Sequence, residues 1–140
     1  MRVVFDTNVL IANALKDGFT RELLNLAITG TIDLLTSEPI ISELEGKLKT
    51  KFSWEELRLK QYINTIREIA LVIEPKEKIT VIKTDPNDNK ILECAVAGKA
   101  NLIVSADSDL IKLKSFQGIG IVHPKTLSWT FPEYFKKNKS

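Results

Sequence analysis

Acidic side chains recur at four distant points of this sequence, each where a predicted strand meets a helix or where a helix begins. They are Asp6, Glu43, Asp88, and Asp107 together with Asp109. Because the carboxyl ends of parallel strands share one edge of a sheet, we expect these carboxylates to converge there. Converging carboxylates repel one another unless a cation lies among them, and Mg²⁺ or Mn²⁺ favours such oxygen ligands. The sequence therefore predicts a carboxylate–metal site, and hydrolysis of phosphodiester bonds is the leading hypothesis.

Each of these acids also has a structural interpretation. Asp6 and Asp107 lie where a helix is predicted to begin, so either could cap it. Asp88 follows the expected helix cap Asp85, and an acid there also favours the helix dipole. Glu43 could be a solvated residue beside the apolar face of its helix. The coincidence of four such positions favours a site, and we expect no adjacent basic residue to pair with the acids.

Other catalytic and metal-binding chemistries fit poorly. The single histidine, His123, precedes a proline and is interpreted as a loop residue. The single cysteine, Cys94, is predicted to be a buried structural thiol, and it excludes an internal disulfide. No glycine-rich phosphate-binding loop occurs. The run at 85–89 superficially resembles a calcium loop, but Lys90 replaces the turn glycine and Val96 the bidentate glutamate.

Composition predicts one globular domain over residues 1–135, followed by a lysine-rich tail at 136–140. Of 140 residues, 44% are apolar and 27% are charged, which argues against disorder. No apolar run suggests a membrane span, and no secretion signal is recognised, so we expect a cytoplasmic protein without membrane association. Setting aside the five site carboxylates leaves 20 basic against 13 acidic residues, a balance that would attract a polyanion.

Apolar runs that alternate with amphipathic stretches indicate the elements that position the acids. Strands are predicted at 2–5, 32–35, 71–73, 102–104 and 119–122. The predicted helix caps are Asp6, Thr20, Ser37, Ser53 with Glu56 as a capping box, Asp85 before Pro86, and Asp107 or Ser105. The first helix is expected to end near Gly18, and Trp129, Phe131, Tyr134 and Phe135 to anchor a C-terminal segment. This alternation predicts a parallel sheet with helices on both faces.

The motifs around the acids resemble the PIN-domain family, and most closely its VapC-type toxin-like branch. The resemblance covers residues 3–124. It rests on the runs Asp6-Thr7-Asn8-Val9-Leu10, Glu43-Leu44 with Leu48, Asp85-Pro86-Asn87-Asp88-Asn89-Lys90 with Ala95, and Leu102-Ile103-Val104-Ser105-Ala106-Asp107-Ser108-Asp109-Leu110. Each motif alone is weak, whereas their order and context together are specific.

The resemblance implies a three-layer α/β/α sandwich with a central parallel sheet and a ribonuclease dependent on Mg²⁺ or Mn²⁺. Its catalytic and metal-binding residues would be Asp6, Glu43, Asp88 and Asp107, with Asp109 auxiliary and with Thr7, Asn8 and Ser105 as supporting polar residues. Many members are toxins neutralised by an antitoxin, and many dimerise. The resemblance therefore implies an RNA substrate, an antitoxin partner and a homodimer, the last also suggested by Trp54, Leu57 and Tyr62 on one predicted helix.

Three rival functions carry acids on related folds. A PIN-fold RNA-processing or non-catalytic RNA-binding module stays open, because fold alone does not decide activity. A phosphoryl-accepting receiver domain would need an acidic pair after the first strand, but Asp6 is followed by Thr7. An Asp-x-Asp phosphatase fails because Asn8 occupies the third position.

Overall fold

Six strands in the described part of the chain form a single sheet. The structure, a computed structural model, describes residues 1–15, 18–130 and 132. The strands are β1 (Arg2–Phe5), β2 (Asp33–Thr36), β3 (Ala70–Val72), β4 (Leu102–Val104), β5 (Ser115–Phe116) and β6 (Ile119–Val122), in the spatial order β3-β2-β1-β4-β6-β5. All pairs are parallel except β5 with β6, so β1 and β4 lie side by side at the centre of the sheet.

Seven helices in the same described part flank the sheet. They are α1 (Thr7–Ala14), α2 (Gly18–Ile28), α3 (Glu38–Thr50), α4 (Glu56–Ile69), α5 (Asn89–Ala97), α6 (Ser108–Leu113) and α7 (Pro124–Thr130), and a 3₁₀ turn at Pro86–Asp88 precedes α5. The prediction of a three-layer α/β/α fold is confirmed. Val3, Val4 and Phe5 are consecutive and all buried, as expected where helices cover both faces of a sheet. None of the described helices is long and apolar enough to cross a membrane.

The edge strand β5 was not predicted, and it makes the sheet mixed rather than wholly parallel. Ser115 pairs with Gly120 and Phe116 with Ile119 in an antiparallel hairpin. The two connecting residues, Gln117 and Gly118, have φ angles of 49° and 80°. A two-residue turn with both φ values positive suits the twist of a hairpin, and Gly118 adopts it without a Cβ clash. The Gln-Gly pair lacks the usual Asn or Asp signal, which explains the omission.

Several predicted helix starts are corrected by local geometry. Ser37 caps α3 as predicted, since its Oγ accepts from the backbone of Ile40 at 3.4 Å. The capping box at Ser53 is wrong: Glu55 is the residue before α4, and Ser53 has a left-handed φ of 53°. The N–H of Trp54 donates to Leu48 O, so this segment closes α3 instead of opening α4.

The remaining differences lie at element ends. The strands β2 and β3 are each displaced by one residue from the prediction, and α2 begins at Gly18, before the expected cap Thr20. The helix α1 ends at Ala14, short of the predicted end near Gly18. Trp129 does not anchor the C-terminal segment, because 75% of it is exposed. Phe131, Tyr134, Phe135 and the lysine-rich tail lie outside the described residues.

Candidate active site

The carboxyl ends of β1 and β4 bring two of the predicted acids together. Asp6 directly follows β1, and its N–H donates to Val104 O at the end of β4. Ser105 Oγ donates to Asp6 Oδ2 at 2.6 Å and accepts from the N–H of Asp107 at 2.9 Å. Ser105 is fully buried, so this hydroxyl has a fixed environment. Ser105 therefore links Asp6, which follows β1, to Asp107, which follows β4.

Asp6 itself is a buried carboxyl that is costly to ionise in the protein alone. Only 4% of the residue is exposed. Burial raises its pKa, and hydrogen bonds from Ser105 and from the backbone N–H of Asn8 partly offset that rise. The nearby charges of Asp107 and Glu43 raise the pKa further. A cation among these acids would remove the repulsion and favour the ionised form.

A tight turn before α5 delivers a second group of acids to the same edge. Asp85 Oδ1 accepts from the N–H of Asn87 at 3.2 Å and so caps the 3₁₀ turn. Asn89 holds the turn against the preceding segment, since its side chain exchanges hydrogen bonds with the Ile82 backbone at 2.8 and 2.9 Å. Carboxylate oxygens of Asp85, Asp88 and Asp107 consequently lie within 4.8 Å of one another.

Asp88 is a buried carboxyl of this cluster with one unpaired oxygen. Its Oδ2 is buried and has no hydrogen-bond partner. Burial, followed by the charges of Asp107, Asp85 and Asp6, raises the pKa of Asp88 to about 7. An orphaned carboxylate oxygen beside two further carboxylates matches the ligand set of a hard divalent cation. The residues present therefore fit Mg²⁺ or Mn²⁺, without distinguishing between them.

Glu43 forms an ion pair with a lysine, and the structure thereby corrects the expectation that no base would pair with the acids. Lys90 Nζ donates to Glu43 Oε2 at 3.0 Å, and 18% of each side chain is exposed. Burial tends to raise the pKa of Glu43, but Thr7, Lys90 and Lys47 together lower it. The buried Thr7 Oγ1 makes no hydrogen bond of ordinary geometry, although it faces the Glu43 carboxylate closely enough to act on it.

Asp109 and Asn8 hold more peripheral positions. Asp109 lies in the first turn of α6, where its N–H donates to Asp107 Oδ1 at 2.8 Å. Its carboxylate is outside the described group of three acids, as are those of Asp6 and Glu43. The side chain of Asn8 is exposed, and only its backbone N–H acts on Asp6. Of the two caps predicted for α6, Asp107 is the one observed.

Two residues of the site were missed as site residues by sequence reasoning. Asp85 was interpreted only as a helix cap, yet one of its carboxylate oxygens belongs to the acidic cluster. Its place in an Asp-Pro-Asn-Asp run was a usable signal, because a tight turn can direct both acids the same way. Lys90 was noted only as a misfit in a calcium loop. No local signal paired it with Glu43, which lies 47 positions earlier.

A cleft of about 290 Å³ adjoins the acids. Asn8 and Ala106, the neighbours of Thr7 and Asp107, form part of its wall, and the rest is largely apolar. His123 and Lys125 also line it. His123 is a loop residue as predicted, with Nδ1 accepting from the Lys125 N–H at 3.1 Å. The cleft therefore offers apolar surface and one cationic residue next to segments that carry the site.

Comparison with known proteins gives one family match and a set of related structures. A family model described as "PIN domain" matches residues 2–109. Six solved chains match; one comes from a crystal structure of VapBC2 from Rickettsia felis bound to a DNA fragment from their promoter. That chain is 18% identical, the match covers 86% of this chain and 97% of that one, and the TM-score is 0.61. None of the curated proteins matches.

Proposed function

This chain belongs to the PIN-domain family, and from that premise we propose that it is an endoribonuclease dependent on a divalent metal. The observation that carries the proposal is the cluster of Asp85, Asp88 and Asp107, with its unpaired oxygen on Asp88. Structural caps would not need three carboxylates whose oxygens lie within 4.8 Å of one another. The proposed catalytic centre comprises Asp6, Glu43, Asp88 and Asp107, with Asp85 added and Asp109 auxiliary.

The residues divide into ligands and positioning groups. Asp88, Asp107 and Asp85 would hold Mg²⁺ or Mn²⁺, with Asp6 beside them. When bound, such a cation lowers the pKa of a coordinated water and neutralises charge on the phosphate. Ser105 fixes Asp6 and Asp107 in place through its two hydrogen bonds. Glu43 stays ionised beside Lys90, so its other oxygen can orient the attacking water.

RNA is the proposed substrate class. The basic excess outside the site carboxylates favours a polyanion. The adjoining cleft, with its apolar wall and with Lys125 and His123, suits a nucleotide next to the scissile phosphate. The absence of a paired histidine base suits a mechanism that relies on a metal-activated water. Such an enzyme would act in the cytoplasm.

A VapC-type toxin is the proposed biological role, with an antitoxin as its protein partner. Its support is the motif resemblance and the fold shared with a chain of the VapBC2 complex. A homodimer is a further part of the proposal: Leu57 on α4 is 68% exposed near Trp54, which stacks under Arg58 at 3.9 Å. Light scattering that finds a monomer at micromolar concentration would remove the dimer from the proposal.

The decisive experiment is cleavage of a mixed RNA pool by purified chain with Mg²⁺ or Mn²⁺. We expect endonucleolytic fragments that disappear when excess chelator is added, because all the proposed ligands are oxygens. Asp33→Asn is the matched control for substitutions of site acids, since Asp33 is an exposed acid at the opposite end of β2. Cleavage that persists in chelator would contradict the metal mechanism. Binding of RNA without cleavage would favour the non-catalytic alternative.

A further inference from the structure

The ion pair of Lys90 and Glu43 differs from ordinary surface ion pairs by its place and burial. Two ion pairs occur among the described residues, and the other joins Arg67 of α4 to Glu38 of α3. That second pair is exposed, with 41% and 62% of the side chains accessible. Lys90 and Glu43 are each 18% exposed, so their charges interact with less screening by water.

The backbone of Lys90 is also fixed relative to Asp88. It lies in the first turn of α5, two positions after Asp88, and the Asn89 side chain between them is locked to the backbone of Ile82. The same turn therefore fixes the backbone of Asp88 and Lys90, and the ammonium group of Lys90 is held by its hydrogen bond to Glu43. Lys47, the other cation that acts on Glu43, forms no ion pair within the described residues.

The acids fall into two parts that differ in how their charge is balanced. Asp85, Asp88 and Asp107 face one another without a cationic side chain paired to them among the described residues. The charge of Glu43 also acts on Asp6, but Glu43 already accepts a hydrogen bond from an ammonium group. In two-metal nucleases, a second cation about 3.5–4 Å from the first helps to stabilise the attacking and leaving oxygens. Among the described residues, Lys90 is the one cationic side chain that forms an ion pair with any of these acids.

Resting on the proposed nuclease function, we infer that Lys90 takes the place of a second metal ion. The chain then binds one divalent cation, at Asp85, Asp88 and Asp107, and Glu43 serves to position the Lys90 ammonium beside the phosphate. A compact ammonium acts on phosphate as a point charge, which suits this role. Lys90 thereby determines how many divalent ions the site binds, and it contributes positive charge to the reaction.

The test is the number of Mn²⁺ ions bound per chain, measured by titration calorimetry and by the electron paramagnetic resonance of free Mn²⁺. We expect one ion in the parent and in Lys90→Arg. We expect two in Lys90→Met, because Glu43 is released as a ligand, and one again in Lys90→Met combined with Glu43→Gln. Two ions in the parent, or one in Lys90→Met, would overturn the inference. Lys90→Gln repeats the measurement should the methionine variant fold poorly.

Cleavage gives a second readout that a structural role would not produce. At a Mn²⁺ concentration that saturates the parent, Lys90→Met should cleave RNA roughly 100-fold more slowly. Its rate should then climb as Mn²⁺ is raised further, while the parent rate stays constant. Arg67→Met is the matched control: it breaks the exposed ion pair to α3 and should leave metal count and rate unchanged.

These results separate the inference from the proposed function. A parent that binds one Mn²⁺ ion but cleaves no RNA defeats the nuclease proposal while the metal count still supports the role of Lys90. A parent that cleaves RNA with two Mn²⁺ ions bound defeats only the inference. A Lys90→Met variant whose rate does not respond to added Mn²⁺ also overturns it.

Discussion

The acidic edge of the sheet and the groove around Tyr62 differ in whether their polar atoms have hydrogen-bond partners. In the groove, which includes Asn13, Trp54 and Tyr62, the Tyr62 hydroxyl lies 2.8 Å from both Leu10 O and Asn13 Oδ1. Burial raises the pKa of Tyr62, so the hydroxyl stays protonated and donates. At the acidic edge, Asp88 Oδ2 and Thr7 Oγ1 are buried without a hydrogen-bond partner.

The hydrogen bonds in the Tyr62 groove stabilise the fold, whereas the unpaired oxygen at the acidic edge is available to a ligand. A satisfied buried hydroxyl contributes to stability, whereas an unsatisfied buried carboxylate costs free energy until something binds it. Other unpaired buried atoms occur among the described residues, at Arg2 Nε and Thr36 Oγ1. They are not surrounded by like charges, as Asp88 is. Substitutions in the two regions should therefore have opposite effects on stability and activity.

The largest expected effect follows from Asp88→Asn. Loss of a direct ligand should reduce cleavage by at least about 100-fold, since even outer-shell changes cost up to about that much. The free energy of unfolding of the parent should rise by roughly 2.7 kcal/mol when the metal is at about 100 times its dissociation constant. The variant should lose most of that rise. Cleavage assays and thermal melts with and without Mg²⁺ measure both quantities.

Without metal, the same variant should melt no lower than the parent, because asparagine removes a repelled charge from the cluster. Asp33→Asn, made in parallel, should change neither cleavage nor the response to metal. If Asp88→Asn instead melts several degrees lower without metal and still cleaves RNA, Asp88 is a structural residue and the proposed site is wrong.

Tyr62→Phe tests the other half of the comparison. Removing the hydroxyl leaves Leu10 O and Asn13 Oδ1 without this donor, which should cost about 1–2 kcal/mol. Denaturant unfolding should therefore give a lower midpoint with an unchanged slope. The rate of RNA cleavage and the gain in stability on adding metal should match those of the parent. A variant as stable as the parent would show that the Tyr62 hydrogen bonds contribute little.

A further expected effect is a pH dependence of stability in metal-free buffer. The pKa of Asp88 is raised from 3.8 to about 7 in the folded protein, so the folded state holds its proton more tightly than the unfolded state. Its contribution to stability is then full below pH 3.8 and is lost as the pH rises toward 7. The melting temperature of the parent should fall relative to Asp88→Asn across this range. A difference that does not change between pH 4 and 7 would contradict the raised pKa.

Local patterns predicted much of the fold correctly. The strands at Arg2–Phe5, Leu102–Val104 and Ile119–Val122 match the prediction, because short β-branched apolar runs specify buried strands. Ser37 was identified as a cap from its side chain alone. The Ser53 capping box failed because the preceding helix α3 uses that segment for its own termination. A capping-box pattern can therefore end one helix instead of beginning the next, depending on the segments around it.

The amino-acid sequence by itself determined where the acids stand, after which strands and at which helix starts, because these are properties of adjacent residues. Only the tertiary structure decided which groups meet. Ser105 reaches Asp6 across 99 positions, and Lys90 reaches Glu43 across 47. Such contacts depend on strand order and on the rotation of packed helices, which are set by burial of the whole core. The charge balance within the site is therefore a property of the fold and could not be read from any one motif.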